Sequence, residues 1–376
     1  MTCLVVHAGA RATGWSAVQR RLVAARKDLA AVGVQMEPDD VVAAWHRSAR
    51  AMQTTGDDPE PTLKRLMNET NAAGRDTLLL SSPLFLSALS SSSWTDRLAR
   101  VAGRLGFDRI VVVVVVREQI GALNQIYCER VLALETAAPF SAFVGQARIR
   151  DSVDYSALLG PALATAGLEV VAVPWSQLAD DGGAQAVLDA AGIDVSLTDP
   201  PDVDSAESQI PGQERLPGPV HVAASRLLVK RLTARGGHAD LDPRTLAAAV
   251  ARVRRRAEQR DWDGDATYWG WTPALAEAAA ERYAASNDAF ARAVWGSVWT
   301  EPVPTMPFRD LQLLDAEPKA IADIVDILGR VSAQVERVPR RGGGARPAVP
   351  WTGLTPPGGR RQSPGPRRRP PQVGAE

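Results

Sequence analysis

The sequence predicts an open α/β fold, a parallel sheet flanked by helices, with a helical C-terminal lobe. Three observations carry that prediction. Apolar runs of strand length alternate with amphipathic stretches of helix length. Residues 110–116 are an unbroken β-branched run, the mark of a central parallel strand buried on both faces. The first apolar run, Leu4-Val5-Val6, leads through a small-residue loop into a helix, as a phosphate-binding strand–loop–helix does.

The elements follow in order. After the first strand, Val18, Leu22, Ala25, Leu29 and Val32 recur along one helical face. Residues 41–52 and 61–73 read as helices, 77–80 as a strand and 94–105 as a helix. The strand at 110–116 precedes a helix with Ile120, Leu123, Tyr127, Val131 and Leu134 on one side. Residues 155–166 read as helix and 170–173 as a further strand. In open α/β sheets ligands sit outside the carboxyl ends of the strands. That rule places the loop from His7 to Ser16, the pair Ser81-Ser82 and Arg117 on one rim.

The first loop reads His7-Ala8-Gly9-Ala10-Arg11-Ala12-Thr13-Gly14-Trp15-Ser16. Gly9 and Gly14 are spaced as in G-x-x-x-x-G-K-[ST], and Ser16 holds the last position, which makes the sheet P-loop-type. Trp15 stands where the nucleotide-hydrolysing version has lysine. Such a loop can aim backbone N–H groups and a helix N-terminus at an anion without a lysine. It lacks the mobile charge that follows a group in transfer. A P-loop NTPase or kinase would also need a Mg²⁺-binding Asp, and none can be assigned.

Organisation divides into an α/β core at 1–197, a Pro- and acid-rich loop at 198–219, a helical part of the same domain at 220–335, and a tail at 336–376. The loop carries five prolines. Residues 340–376 hold eight arginines against one acid and too little apolar surface to offset ordering entropy, so disorder is expected. Formal charge is zero, so nothing overall points to nucleic acid or an anionic membrane. Cys3 and Cys128 fall in a strand and a helix and read as reduced, buried thiols of a cytoplasmic protein. No secretory signal is visible, and the longest apolar run is too short to span a bilayer.

These residues resemble the PAPS-dependent sulfotransferases, in particular a bacterial branch opening with H-x-G-x-x-K-T-G-[ST]-[ST]-x-x-Q. The stretch from His7 through Thr13, Gly14 and Ser16 to Gln19 carries the resemblance. It continues in patches through Ser81-Ser82, Arg117 with its following helix, Asp154-Tyr155, residues 170–174 and Ser286-Asn287, to about residue 299. The resemblance implies a donor, PAPS or its product PAP, held by the first loop at the 5′ end. An arginine after the central strand and a serine beyond it would hold the 3′-phosphate. It also implies transfer of a sulfuryl group to a hydroxyl of a carbohydrate or small molecule. Here the motif lysine is Ala12, the glutamate after the serine pair is Pro83, and the serine beyond Arg117 is Gln125. Losing a charged transition-state donor commonly costs about two to three orders of magnitude in rate. The resemblance therefore admits two outcomes, a sulfotransferase or a non-catalytic relative that binds a nucleotide or sugar or serves as an interaction scaffold.

Each candidate residue has a structural alternative. His7 is a catalytic candidate or a hydrogen-bonded strand-end histidine. Arg11 is the second catalytic candidate, standing in for the lysine, or points elsewhere. Gly9, Thr13, Gly14 and Ser16 would form the donor loop. Trp15 could stack on an adenine, plug the pocket or pack in the core. Arg117 is a phosphate contact or the partner of Glu118 or Glu129. Gln125 either reaches a phosphate or is an ordinary polar helix residue. Asp261, Asp263 and Asp265 lack the later ligands of a calcium loop, so a solvated turn is expected. The run Arg252 to Arg256 reads as a solvated helix face, with an anionic acceptor as the alternative. No metal site is expected, and the arginine-rich tail could meet nucleic acid or an acidic partner.

Overall fold

The computed structural model describes residues 2–9, 15–36, 41–54, 58–178, 183–197, 216–234, 243–264, 266–311 and 318–337. Residues 10–14, most of the Pro-rich loop and the tail beyond 337 lie outside them. The first half holds β1 (Cys3–Gly9), α1 (Trp15–Ala24), α2 (Arg26–Ala31), β2 (Val34–Gln35), α3 (Val41–Thr54), α4 (Glu60–Ala72), β3 (Thr77–Ser81), α5 (Leu84–Leu89), α6 (Ser92–Leu105) and β4 (Arg109–Val116). There follow α7 (Gln119–Leu132), α8 (Phe140–Val144), α9 (Ala147–Asp151), α10 (Tyr155–Ala164), β5 (Glu169–Pro174), a single 3₁₀ turn over Trp175–Leu178, and α11 (Ala184–Ala191). The C-terminal part is helical, with α12 (Pro219–Ala234), α13 (Pro243–Arg260), α14 (Pro273–Trp295) and α15 (Pro318–Arg337).

The five described strands form one open parallel sheet in the order β2-β3-β1-β4-β5. Central β4 is valine-rich because both its faces are covered: Val111 to Val116 are all fully buried. From β1 the chain crosses leftward to β2, then returns through β3 to β4 and β5. Right-handed crossovers put α1 on one face, and α4, α6 and α10 on the other. The packing agrees, with α1 against α11, α4 against α6, and α6 against α10. The reversal of direction falls between β1 and β4, so the crevice of the sheet opens at their carboxyl ends.

Two helical readings are corrected. The long helix expected from Val18 to Val32 breaks into α1 and α2, and Val32 is 44% exposed. The chain must turn there into edge strand β2, and Gly33 takes the left-handed conformation (φ +83°) that the turn requires. The helix expected to reach residue 166 ends at Ala164, followed by Gly167 at φ +85°. Cys128 is buried as expected, whereas Cys3 on β1 is only partly so; both are free thiols.

Among the described residues three buried clusters stabilise the fold. The first surrounds the sheet. A second joins α7, α8 and α9 to Tyr268, Trp269 and Trp271. The third lies between α12, α13 and α15. The arginine run on α13 is not a uniformly solvated face. Val253 is buried, Arg256 pairs with Asp323 of α15 at 3.3 Å, and Arg254 pairs with Glu258 on its own helix at 3.1 Å. Asp263 is likewise no solvated turn residue. Its carboxylate accepts from Gly218 N at 2.7 Å and faces His221 Nδ1 at 3.0 Å, holding the start of α12; Asp265 lies outside the described residues.

Candidate functional site

At the carboxyl end of β1, His7 is opposite Ser81 of β3 and Gly9 is opposite Val115 of β4. Ser82 N donates to the His7 carbonyl at 3.0 Å, so the serine pair and the start of the loop share one rim. Arg117 leaves β4 on the same edge, and Trp175 leaves β5 beside it. Arg11, Ala12, Thr13 and Gly14 lie outside the described residues. Trp15 and Ser16 open the backbone of α1, and their side chains are likewise outside the description.

His7 is a hydrogen-bonded strand-end residue, fully buried, with Nδ1 2.8 Å from Ser81 Oγ. Gln19, from the following helix, donates to Ser81 O at 2.6 Å and to Ser81 Oγ at 3.1 Å. The Ser81 hydroxyl thus lies between the Gln19 amide and His7 Nδ1, and it donates to or accepts from that nitrogen according to the imidazole tautomer. Burial pushes the His7 pKa down to about 4, so the ring is neutral. His7 Nε2 and Gln19 Oε1 are buried without hydrogen-bond partners among the described residues. His46 of α3 joins this rim through Nδ1, 2.9 Å from Ser82 Oγ.

The second group centres on Arg117 and brings Gln125 to it as paired candidates. Arg117 Nη1 donates to Gln125 Oε1 at 2.7 Å, and Nε lies 3.4 Å from Glu118 Oε1. The guanidinium stacks over Trp175, 4.1 Å from the ring centroid, an attraction of about 0.5–2 kcal/mol. Gln125 is buried on α7, and its amide also donates to Glu129 at 3.2 Å. Glu118 caps α7, accepting from Gly121 N at 2.6 Å. A Cβ at position 121 would stand 2.1 Å from Glu118 Oε1, so only glycine leaves room for this cap. Glu301 approaches from the segment after α14, accepting from Ser176 N at 3.2 Å and Ser176 Oγ at 2.5 Å.

Sequence patches far apart in the chain meet around this group. The Tyr155 hydroxyl donates to Arg117 O and accepts from Arg117 N, each at 3.0 Å. Ser286 Oγ donates to Asp154 Oδ1 at 2.5 Å, and Asn287 Nδ2 donates to Gln119 Oε1 at 2.9 Å. Tyr155→Phe removes both clamps on the Arg117 backbone. It is expected to destabilise the fold by about 1–3 kcal/mol, the range for buried backbone groups left unpaired. A lowered urea midpoint, with faster amide exchange at Arg117, is the readout.

Burial also pushes the Glu118 carboxyl up to about 7, against the lowering effects of Gly121 N–H and Arg117. Two opposing pH dependences follow. His7, lowered from 6.5 to about 4, contributes stability that is lost as pH falls through that window. Glu118, raised from 4.5 to about 7, contributes stability that is present at low pH and lost as pH rises through that window. Glu118→Gln removes the second dependence. Its stability relative to the parent should therefore climb as pH rises through the Glu118 window, by about 3 kcal/mol in total. Urea midpoints across the window check the sign; a flat difference would contradict it.

Sequence reasoning missed Trp175, His46 and Glu301. The carboxyl-edge rule could have singled out Trp175, which directly follows β5. His46 and Glu301 have no local signal, since helix and segment packing alone bring them to the rim. Among the described residues no three His, Cys, Asp or Glu side chains come together as metal ligands, and no helix is long and apolar enough to cross a membrane. No family model, no curated protein and no solved structure matches this chain.

Proposed function

We propose that the chain is a sulfotransferase-like protein that binds an anionic nucleotide of the PAPS or PAP type at the β1–β4 crevice without efficient sulfuryl transfer. Support for binding comes from the fixed polar groups on that edge: His7 Nε2 and Gln19 Oε1, both buried and without partners among the described residues, and Arg117 beyond β4. The observation that carries the non-catalytic half is the state of Arg117. Its charge is countered inside the protein by Glu118 at 3.4 Å and its face is covered by Trp175. A guanidinium so engaged is a poor substitute for a mobile lysine that follows charge onto a leaving group. His7, neutral and fully buried, is no better placed to supply that charge.

Transfer to a carbohydrate or small-molecule hydroxyl is the other reading that the resemblance supports, with Arg11 supplying the missing cation. Calorimetric titration with PAP, using ATP as control, tests the binding. Selective micromolar affinity is the expected result, and no heat with either nucleotide would overturn the proposal. Turnover of PAPS by the unaltered protein at rates typical of enzymes would overturn the non-catalytic half. Restored turnover in Ala12→Lys would show a binding site that outlived its catalyst.

A further inference from the structure

Arg117 meets its partners from different directions. Trp175 covers one face of the guanidinium, 4.1 Å from the ring centroid, and leaves the edge of the planar group to hydrogen bonds. Along that edge Nη1 donates to the Gln125 carbonyl oxygen at 2.7 Å, and Nε faces Glu118 Oε1 at 3.4 Å. An oxyanion pairs with arginine through the same in-plane N–H groups. It therefore leaves the Trp175 stack in place and competes with Gln125 and Glu118. Of those two, only Glu118 carries a charge.

Glu118 is not free to withdraw. Its Oε2 accepts from Gly121 N at 2.6 Å as the N-cap of α7, in space that exists only because residue 121 has no Cβ. Rotation away would uncap the helix, and the residue is buried, so little water screens its charge. The other charged and titratable groups around it do not take that charge over. Glu301 is a second acid, its own carboxyl raised by burial. The Tyr155 hydroxyl clamps the Arg117 backbone and the Tyr283 hydroxyl donates to Arg150 O; burial raises both phenols, which stay neutral. Asp288 of α14, which lines a cleft with Glu118, is paired with Arg292 at 3.5 Å. The charge of Glu118 can then be removed only by protonation in place. A neutral Glu118 keeps an oxygen on the Gly121 N–H and no longer holds Arg117 by charge.

We propose that Arg117, read as part of the anion-binding edge of the crevice described above, is a proton-coupled site: it takes an oxyanion, a phosphate or sulfate group of the ligand, together with a proton on Glu118. An anion on Arg117 sets a second negative charge beside a fixed, buried carboxylate, and a like charge in contact raises a carboxyl by about 1–3 pKa units. Glu118 starts from about 7, so the proton is drawn from solvent near neutral pH. The coupling is reciprocal. Whatever the anion adds to the affinity of Glu118 for its proton, the proton adds to the affinity of the site for the anion. The sign follows from the direction of the shift. Anion affinity is full at low pH, where Glu118 is already protonated, and falls as pH rises through about 7 and beyond. His46 on the same rim is lowered from 6.5 by burial and by Arg50, so it is neutral where this fall occurs.

The test is calorimetric titration of the full chain with sulfate, which carries no titrating proton in this range, and with PAP, each in two buffers of different ionisation enthalpy. Sulfate should bind about tenfold more tightly at about pH 5.5 than at about pH 8, with net proton uptake at the higher pH. Glu118→Gln should bind sulfate about tenfold more tightly than the parent at about pH 8, equally at about pH 5.5, and without that uptake. PAP should show the same difference between parent and variant, a comparison that cancels the titration of its own phosphates at about pH 6. If the variant fails to fold, proton uptake by the parent decides alone. Sulfate binding without proton uptake, or a folded Glu118→Gln that binds no more tightly than the parent, would overturn the proposal. PAP binding with no such difference overturns the coupling and leaves the nucleotide reading standing. Sulfate binding with proton uptake in a protein that ignores PAP does the reverse, and binding of neither overturns both.

Discussion

Replacing Arg117 with alanine is expected to cost the fold about 3–5 kcal/mol, the range for breaking a buried ion pair from one side. The magnitude follows from what the guanidinium leaves behind. Glu118 is only 3% exposed and loses its adjacent cation, while Gln125 loses the donor it meets at 2.7 Å and Trp175 loses the charge over its ring. Glu301, also buried, loses the positive charge that helps to offset its own burial. The loss should grow with pH, because at low pH Glu118 can take a proton and escape as a neutral acid. The sign is clear: removing Arg117 removes a lowering influence on a carboxyl already raised to about 7. Urea unfolding of the variant at several pH values measures both features. A double variant, Arg117→Met with Glu118→Gln, should recover much of the stability, since a neutral pair of similar volume removes the uncompensated Glu118 charge. If the single variant is as stable as the parent at neutral pH, Glu118 is not held by Arg117 in solution.

Gly270→Ala is expected to destabilise by at least about 1–3 kcal/mol, the usual cost of overpacking a full core, and toward the upper end here. A Cβ at 270 would stand 2.3, 2.6 and 2.7 Å from three ring carbons of Phe140. That ring cannot swing aside. It packs edge-on against Tyr127 at 5.1 Å and Trp271 at 4.9 Å, and is 1% exposed. The backbone of Gly270 is fixed too, donating to Asn124 Oδ1 at 3.0 Å. Asn124 lies on α7, the helix that carries Gln119 and Gln125, so a shift here also reaches the Arg117 group. A depressed urea midpoint with altered near-ultraviolet dichroism of the aromatic cluster is the expected observation. A thermally neutral Gly270→Ala would mean that the segment from 268 to 271 is not packed on Phe140.

The local pattern carries the sheet. The valine run at β4 could only be a strand buried on both faces, and the recurrence of Val18, Leu22 and Leu29 fixed the buried side of the helices after β1. These readings hold because burial of a face is written in neighbouring residues at the period of the element. The two-residue strand β2 was illegible, being too short for any period to show. The break between α1 and α2 was equally so, since the same apolar face continues across it.

The candidate site divides along the same line. That His7, Ser81-Ser82 and Arg117 lie on one edge follows from strand order and direction, which the alternation of elements implies. What each polar group does there was decided by tertiary structure. Arg117 is held by Tyr155, 38 positions along the chain, and Gln119 by Asn287, 168 positions along. Asp263, which reads locally as part of a polar turn, accepts from Gly218 N, 45 positions earlier, at the start of α12. Sequence periodicity determines which surfaces leave water, because that depends on each segment alone. Which charge meets which partner, and so whether an arginine is available to a ligand or already satisfied, depends on how separate segments pack, and only the folded chain determines it.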